Sequence, residues 1–468
     1  MPLFQEAHNF VVNGGYFTEI THGSSPLVQL QQHTASGAAH DSQERFPPPK
    51  CHPRTRERAL RIIIAWIKTL RKERTKSVQW LHAPAGMGKS AIAQTIAEEC
   101  EELDILAATF FFSRGDPKRN RAEKLVASIA LQLCESIPEL VPHVEAIIRS
   151  TPTILTKSLP IQLNKLVIGP FRKIPPIEED RVVIIDGLDE CIGAEPQKVD
   201  PAHEQLLVLK LVDTMLSAGL PLSFLICSRP ESWIKDGFQT LPSLWACTEV
   251  LDLYHNSDMD QDVETYLRPE FARIREASNL PESWPSEGDL KKIVRNASGQ
   301  FIYAATVIRY VDDPWNPPQD RLNAILAPKI PMDHNPLEAL DNLYLTILEM
   351  STNRTLVLET LGCLEACQPS VFGYSTTSVG PSIAHLCETI CHWPRQALRA
   401  LHSLVRTDGT ARQASFFHAT FLEFLHSPFR SKGFYITKTQ YVPYFVGCCL
   451  RYLASASNLP FDRDTPFG

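Results

Sequence analysis

The chain is predicted to be an α/β protein: a doubly wound parallel sheet, then a helical lid domain, then a winged-helix domain. Three observations carry this expectation. Short apolar, β-branched runs alternate with helical patterns between Val78 and Leu253, the order of a parallel sheet. The pattern then turns helical for a long stretch. Near the end, two short β-like segments flank Asp408-Gly409, a hairpin signal between helices.

Taken in order, residues 1–50 read as a poorly ordered tail. It could hold a short hairpin around Gly14-Gly15 and closes on the spacer Pro47-Pro-Pro49. A helix is expected over 54–72, with Leu60, Ile63, Ile64 and Ile67 on one side. Strands follow at 78–82, 105–112, 181–186, 222–227 and 250–253, and helices at 90–101, 122–136 and 204–218. Beyond 255, helices are expected at 260–267, 288–296, 299–311, 318–326, 336–349 and 356–366. The candidate hairpin strands are 403–406 and 414–417, and 418–425 returns to a helix. The domain reading is a tail (1–50), a nucleotide-binding domain (51–254), the lid (255–335), the winged helix (336–430) and the start of a C-terminal helical segment (431–468).

The chemistry is concentrated between the first strand and the next helix. Ala83-Pro84-Ala85-Gly86-Met87-Gly88-Lys89-Ser90-Ala91 is a phosphate-binding loop. Gly86 and Gly88 lack a Cβ, so the backbone can curl and aim successive N–H groups at an anion. The helix that follows adds its positive dipole end. Lys89 is expected on the β/γ-phosphates and the Ser90 hydroxyl on Mg²⁺. Ala83 stands where the strict pattern has Gly. The cofactors expected are ATP or ADP with Mg²⁺.

A second motif supports the first. Arg181-Val-Val-Ile-Ile-Asp186-Gly-Leu-Asp189-Glu190 is a buried-strand pattern that ends in acids. Asp186 at the strand end is the expected metal-side carboxylate, as in a Walker B strand. Asp189 or Glu190, one turn on, could orient an attacking water. In such sheets ligands bind beyond the carboxyl ends of the strands, which is where both motifs fall.

Composition limits the alternatives. The chain has 468 residues, a net charge of −7 and 44% hydrophobic residues, so no broad basic field points to nucleic acid. The basic runs 71–76 and 118–121 read as solvated surface. No stretch approaches the ~20 apolar residues of a membrane span, and Met1 to Val12 lacks a signal-peptide core. A cytoplasmic protein with no membrane or nucleic-acid partner is expected. Cys100, Cys134 and Cys227 sit singly in apolar segments, as small buried hydrophobes do. Cys363/Cys367 and Cys387/Cys391, with His392, have i,i+4 spacing and read as core helix faces, not a zinc site.

These motifs resemble the NACHT-type signal-transducing P-loop NTPases, and most of all the fungal group whose domain is called nephrocystin-like N-terminal. The residues that carry the likeness are Pro49–Arg56, Trp80–Ser90, Thr109–Arg114, Ile185–Glu190, Ser228-Arg229-Pro230, Ala297–Tyr303 and Phe416–Leu425. The resemblance implies that Thr55 and Arg56 lie near the adenine and that Arg229 is the sensor arginine for the γ-phosphate. It also implies that His418 is the winged-helix histidine that contacts the β-phosphate of ADP and locks a closed state. Family members usually carry an effector domain and a repeat array. The chain is therefore expected to be a stripped-down switch, a truncated product, or a part that works with other proteins.

The leading functional expectation is an ATP/ADP-dependent signalling switch, closed with ADP and opened by ATP exchange, with self-association or other signalling proteins as partners. Slow ATP hydrolysis is allowed by the residues but not required. The alternative is a nucleotide-binding interaction module without significant hydrolysis. A metabolic P-loop kinase fits less well, because the long helical and winged-helix extension has no place in such compact enzymes.

Overall fold

The computed structural model describes residues 25–69, 73–178, 180–193, 200–254, 259–327, 337–350, 353–366, 401, 403–407, 414–437 and 440–443. Its centre is a five-stranded, all-parallel sheet in the order β2-β3-β4-β1-β5. The strands are β1 (Val78–His82), β2 (Leu106–Phe111), β3 (Arg181–Asp186), β4 (Leu222–Ser228) and β5 (Thr248–Asp252). All seven residues of β4 are buried, and so are five of the six in β3. A parallel strand covered on both faces needs a continuous apolar run instead of an alternating one.

The pleat sends alternate residues to opposite faces, and the two faces have separate cores. Val78, Trp80, Phe110, Val183, Ile185, Phe224 and Ile226 pack with helices Leu125–Ser136, Pro201–Ser217 and Ser232–Thr240. Leu81, Phe111, Val182, Ile184, Leu225 and Cys227 pack with helices Glu57–Lys68 and Lys89–Glu102 on the other side. Fully burying one such aliphatic side chain contributes about 1.5–3 kcal/mol, so each buried position of the central strands adds to their hold on the helices.

Residues 25–50 correct an expectation. They are not a tail but part of the sheet domain. Helix Pro26–Gln32 places Leu30 in the first core together with Ala35 and Ala38, all buried. The His40 amide donates to Thr109 Oγ1 at 2.9 Å, and Arg45 donates to Gln94 Oε1 at 2.8 Å while its guanidinium lies 3.6 Å over the Phe111 ring. The segment is polar in composition, and the contacts that order it come from residues distant in sequence. The expected Gly14-Gly15 hairpin lies outside the described residues.

Two further corrections concern basic residues. The helix expected over 54–72 begins at Glu57, because Arg54 and Arg56 adopt left-handed backbone (φ +65° and +57°), and ends at Lys68. Arg74, read as solvated surface, has a buried side chain: its Nη1 is 3.3 Å from Asp180 Oδ2, and the guanidinium lies over the Trp66 ring. Paired and hydrogen-bonded, an arginine can be buried. Among the described residues of the sheet domain, helices such as Val141–Ser150, Leu159–Gln162, Ser232–Thr240 and Pro242–Cys247 went unforeseen.

After the sheet come helices Met259–Ala277, Glu287–Ala297, Phe301–Val311 and Pro318–Leu326, then Glu338–Glu349 and Arg354–Ala366. Strands β6 (Val405–Thr407) and β7 (Ala414–Phe416) pair antiparallel with Val405 opposite Phe416. Helix Ala419–Leu425 follows, with His418 at its N-cap. Thr407 pairs with Ala414, and residues 408–413 lie outside the described residues. Tyr310, Tyr344, Val357, Phe421 and Phe424 share one continuous core across all these elements. Cys100, Cys134, Cys227 and Cys363 are buried, as expected, whereas Cys367, Cys387, Cys391 and His392 lie outside the described residues. Among the described residues no single helix is long and apolar enough to cross a membrane.

Candidate functional site: a phosphate-binding loop facing three acids and two arginines

The loop 83–88 leaves β1 and turns directly into helix Lys89–Glu102. Gly86 (φ +76°) and Gly88 (φ +85°) take the left-handed conformation the sequence calls for. The two glycines differ in their surroundings. A Cβ on Gly88 would meet nothing within 4 Å, but one on Gly86 would lie 2.2 Å from Ile302 Cγ2. The Ile302 amide donates to the Gly86 carbonyl at 3.2 Å, so the start of helix Phe301–Val311 sits directly on the loop. Ala83 is fully buried at the strand end and Met87 is buried beneath the loop. Pro84 is exposed, Ala85 and Gly86 form the turn, and Ala91 is in the first turn of the helix.

Lys89 Nζ donates to the Ala83 carbonyl at 2.7 Å and the Pro84 carbonyl at 3.0 Å. Burial pushes its pKa down, opposed by Asp189 and reinforced by Arg229. Across the sheet, Asp186 is buried at the end of β3 and accepts a hydrogen bond from Ser90. Its Oδ1 is buried with no hydrogen-bond partner. Burial, the largest cause, pushes its carboxyl up to about 6 against the pull of Ser90, Arg45 and Lys89. An orphaned buried carboxylate oxygen costs free energy. Beside a hydroxyl at the end of a phosphate loop, it has the hard-oxygen chemistry that suits Mg²⁺, which is commonly held by one or two carboxylates plus phosphates. Ser90 and Asp186 therefore fit the metal expected of them.

The turn after Asp186 separates the next two acids. Gly187 has φ +70°, and a Cβ there would lie 3.2 Å from the Phe112 carbonyl oxygen. That close approach explains the small residue in the Asp-Gly-x-Asp-Glu pattern. Asp189 is already committed: its Oδ1 accepts from the Arg229 amide at 2.9 Å and its Oδ2 lies 3.0 Å from Arg229 Nε. Glu190 Oε2 accepts from the Arg114 amide at 3.0 Å, and burial with Asp189 nearby pushes its carboxyl up to about 7. Of the two acids left open by the sequence, Glu190 is the one poised to exchange a proton near neutrality.

Arg229 is met from a second direction. Its Nη1 and Nη2 donate to Glu423 Oε2 and Oε1 at 3.2 and 2.6 Å. Arg114 Nη1 adds a third contact to Glu423 at 3.4 Å. Glu423 lies in helix Ala419–Leu425, far along the chain from Arg229. His418 caps the same helix: its Nδ1 accepts from the Thr420 amide at 3.1 Å. Burial first and then Arg229 hold its pKa down to about 4, so the ring is neutral near pH 7. With Nδ1 accepting, the ring proton belongs on Nε2.

Thr55 and Arg56 lie on the opposite flank of the loop, both buried. Thr55 Oγ1 donates to the His52 carbonyl at 2.6 Å. Arg56 Nη2 donates to the Met87 and Gly299 carbonyls at 2.8 and 3.3 Å, its amide donates to Asp262 Oδ1 at 3.1 Å, and its guanidinium lies 4.7 Å over Phe301. Arg56 thus ties the loop to the helices that follow the sheet. Glu423, Arg114 and Asp262 were missed as site residues by the sequence reading. Glu423 had one available signal: it is the only acid in the aromatic segment Phe416–Leu425.

A glycine-containing loop at the mouth of a parallel sheet, with acids at the end of a neighbouring strand, fits the P-loop fold. A family model described as Nephrocystin 3, N-terminal, matches residues 63–229, and over this span the chain is similar to that family. The match takes in the loop, the three acids, Arg114 and Arg229, and leaves His418 and Glu423 outside. No curated protein matches the chain.

Proposed function

We propose that this chain is a nucleotide-dependent switch of the NACHT type, held closed by a diphosphate and opened by exchange for a triphosphate. The observation that carries the reading is that residues from the far end of the chain, Glu423 and His418, reach the same cluster as Lys89, Asp186 and Arg229. A purely metabolic nucleotide enzyme has no need of that contact; a switch does, because it couples domain position to phosphate state. In this reading the helices over 259–327 act as the lid and the hairpin region after residue 337 as the winged helix.

The loop amides of Gly86 to Ser90 bind the phosphates, with Lys89 leaving the Ala83 and Pro84 carbonyls to meet their charge. Ser90 and Asp186 would hold Mg²⁺, which would supply positive charge against the phosphates. Glu190 takes a proton from the attacking water, and Asp189 keeps Arg229 oriented toward the phosphates. Arg56 and Thr55 form the wall on the base side, and the neutral His418 offers its Nε2 proton to the diphosphate. Hydrolysis on this scheme is slow and resets the switch. A cytoplasmic signalling role with protein partners or self-association follows from the resemblance alone.

A second reading, an interaction module that binds nucleotide without turning it over, is favoured by one feature: every nitrogen of the Arg229 guanidinium is engaged by protein carboxylates. The experiment that tests the primary reading is to purify the chain, denature it and identify the released nucleotide. ADP in near-stoichiometric amount supports the closed switch, and Lys89→Ala should release none. Equal nucleotide in both proteins would refute the loop assignment. Turnover of ATP lost in Glu190→Gln would exclude the interaction module.

A further inference from the structure

Arg229 carries two kinds of partner. Asp189 belongs to the same sheet domain and holds its backbone amide and Nε. Glu423 belongs to the C-terminal hairpin region and holds both terminal nitrogens in a two-pronged contact, the strongest form of arginine–carboxylate pairing. A second arginine of the sheet domain, Arg114, also reaches Glu423. Both members of the main pair are largely buried, with side chains 18% and 19% exposed, so the contact is only weakly screened by salt.

We propose that Glu423 is a carboxylate stand-in for a terminal phosphate: it occupies the donors of Arg229 and Arg114, and a triphosphate opens the protein by displacing it. The inference rests on the nucleotide-switch reading and adds how the two nucleotides are told apart. A carboxylate and a terminal phosphoryl group present similar paired oxygens to a guanidinium fork. A diphosphate leaves the Arg229 fork on Glu423, and the C-terminal region stays docked. A terminal phosphate that reaches the fork must break the Glu423 contact, and the helix Ala419–Leu425, capped by His418, loses its tether to the sheet domain. Discrimination therefore resides in a competition between two anions for one arginine, not in a pocket too small for the third phosphate.

The test compares wild type and Glu423→Gln, full-length, for affinity toward ADP and a non-hydrolysable ATP analogue with Mg²⁺ by calorimetry. Gln keeps the size of the side chain and removes its charge. The expected result is a shift of the ADP-to-ATP affinity ratio toward the triphosphate within the roughly 5–150-fold range of coupled sites, with ADP affinity little changed. Protease sensitivity between the sheet domain and the hairpin region should rise in the variant without any triphosphate. A ratio unchanged in a folded variant that binds both nucleotides overturns the latch and leaves the switch reading intact. If the wild type binds neither nucleotide, both fall. Should Glu423→Gln fail to fold, Glu423→Asp keeps the charge but draws the carboxylate back from both arginines; it should move the ratio in the same direction by less, and no movement overturns the proposal.

Discussion

Asp186→Asn should make the protein more stable, and the size of the gain should depend on pH. Asp186 is buried, its Oδ1 is unpartnered, and its carboxyl is pushed from an ordinary 3.8 up to about 6. The folded chain therefore holds this proton more tightly than the unfolded chain. Folded stability falls as pH rises from below 3.8 through about 6, and the full loss is present above that. A gap of about 2 pH units at 1.36 kcal/mol each is about 3 kcal/mol at about pH 8, and roughly half of that near pH 5. Asn keeps an oxygen for Ser90 and carries no charge, so it removes that loss. The assay is thermal unfolding of both proteins in chelator at the two pH values. A stabilisation at the higher pH that shrinks by about half at the lower supports the reasoning. A destabilised variant, or a gain independent of pH, would refute it. Such an exchange of stability for function is expected where a site holds strain or an unmet charge.

Glu190, pushed up to about 7, should make any ATP turnover rise with pH through about 7 as the carboxylate form accumulates, then level off. Glu190→Gln should lower the rate by roughly 10²–10⁴-fold with binding retained; single-turnover rates that are flat across that range would count against Glu190 as the base. Gly86→Ala should destabilise by about 2–5 kcal/mol, combining a left-handed residue with a Cβ forced against Ile302. Gly88→Ala, with open space around it, should cost only about 1–2 kcal/mol. Equal losses in denaturant melts would show that the helix start does not sit on the loop in solution.

Much of the sheet domain was legible in the sequence because its signals are local. The apolar runs at β3 and β4 and the helical periodicity of Lys89–Glu102 and Leu125–Ser136 need only neighbouring residues to be recognised. The loop glycines are readable for the same reason, since their left-handed backbone is a property of the turn itself. The errors fall where order is imposed from a distance. Residues 25–50 look like a tail because they lack a periodic apolar pattern, yet Leu30, Ala35 and Ala38 fill a core built by other elements. Arg74 looks like surface because its partner Asp180 lies far along the chain.

By itself, the sequence determined the α/β alternation, the glycine loop between β1 and the next helix, and the presence of three acids and one arginine at strand ends. It could not say which acid does what. Packing decided that Asp189 is bound to Arg229 while Glu190 keeps its proton up to about 7. It also brought Glu423 onto Arg229 across 194 residues and seated Ile302 on Gly86. The physical reason is the same in each case. A motif is written in adjacent residues, but a charge's partner and its desolvation are set by whatever the fold places around it.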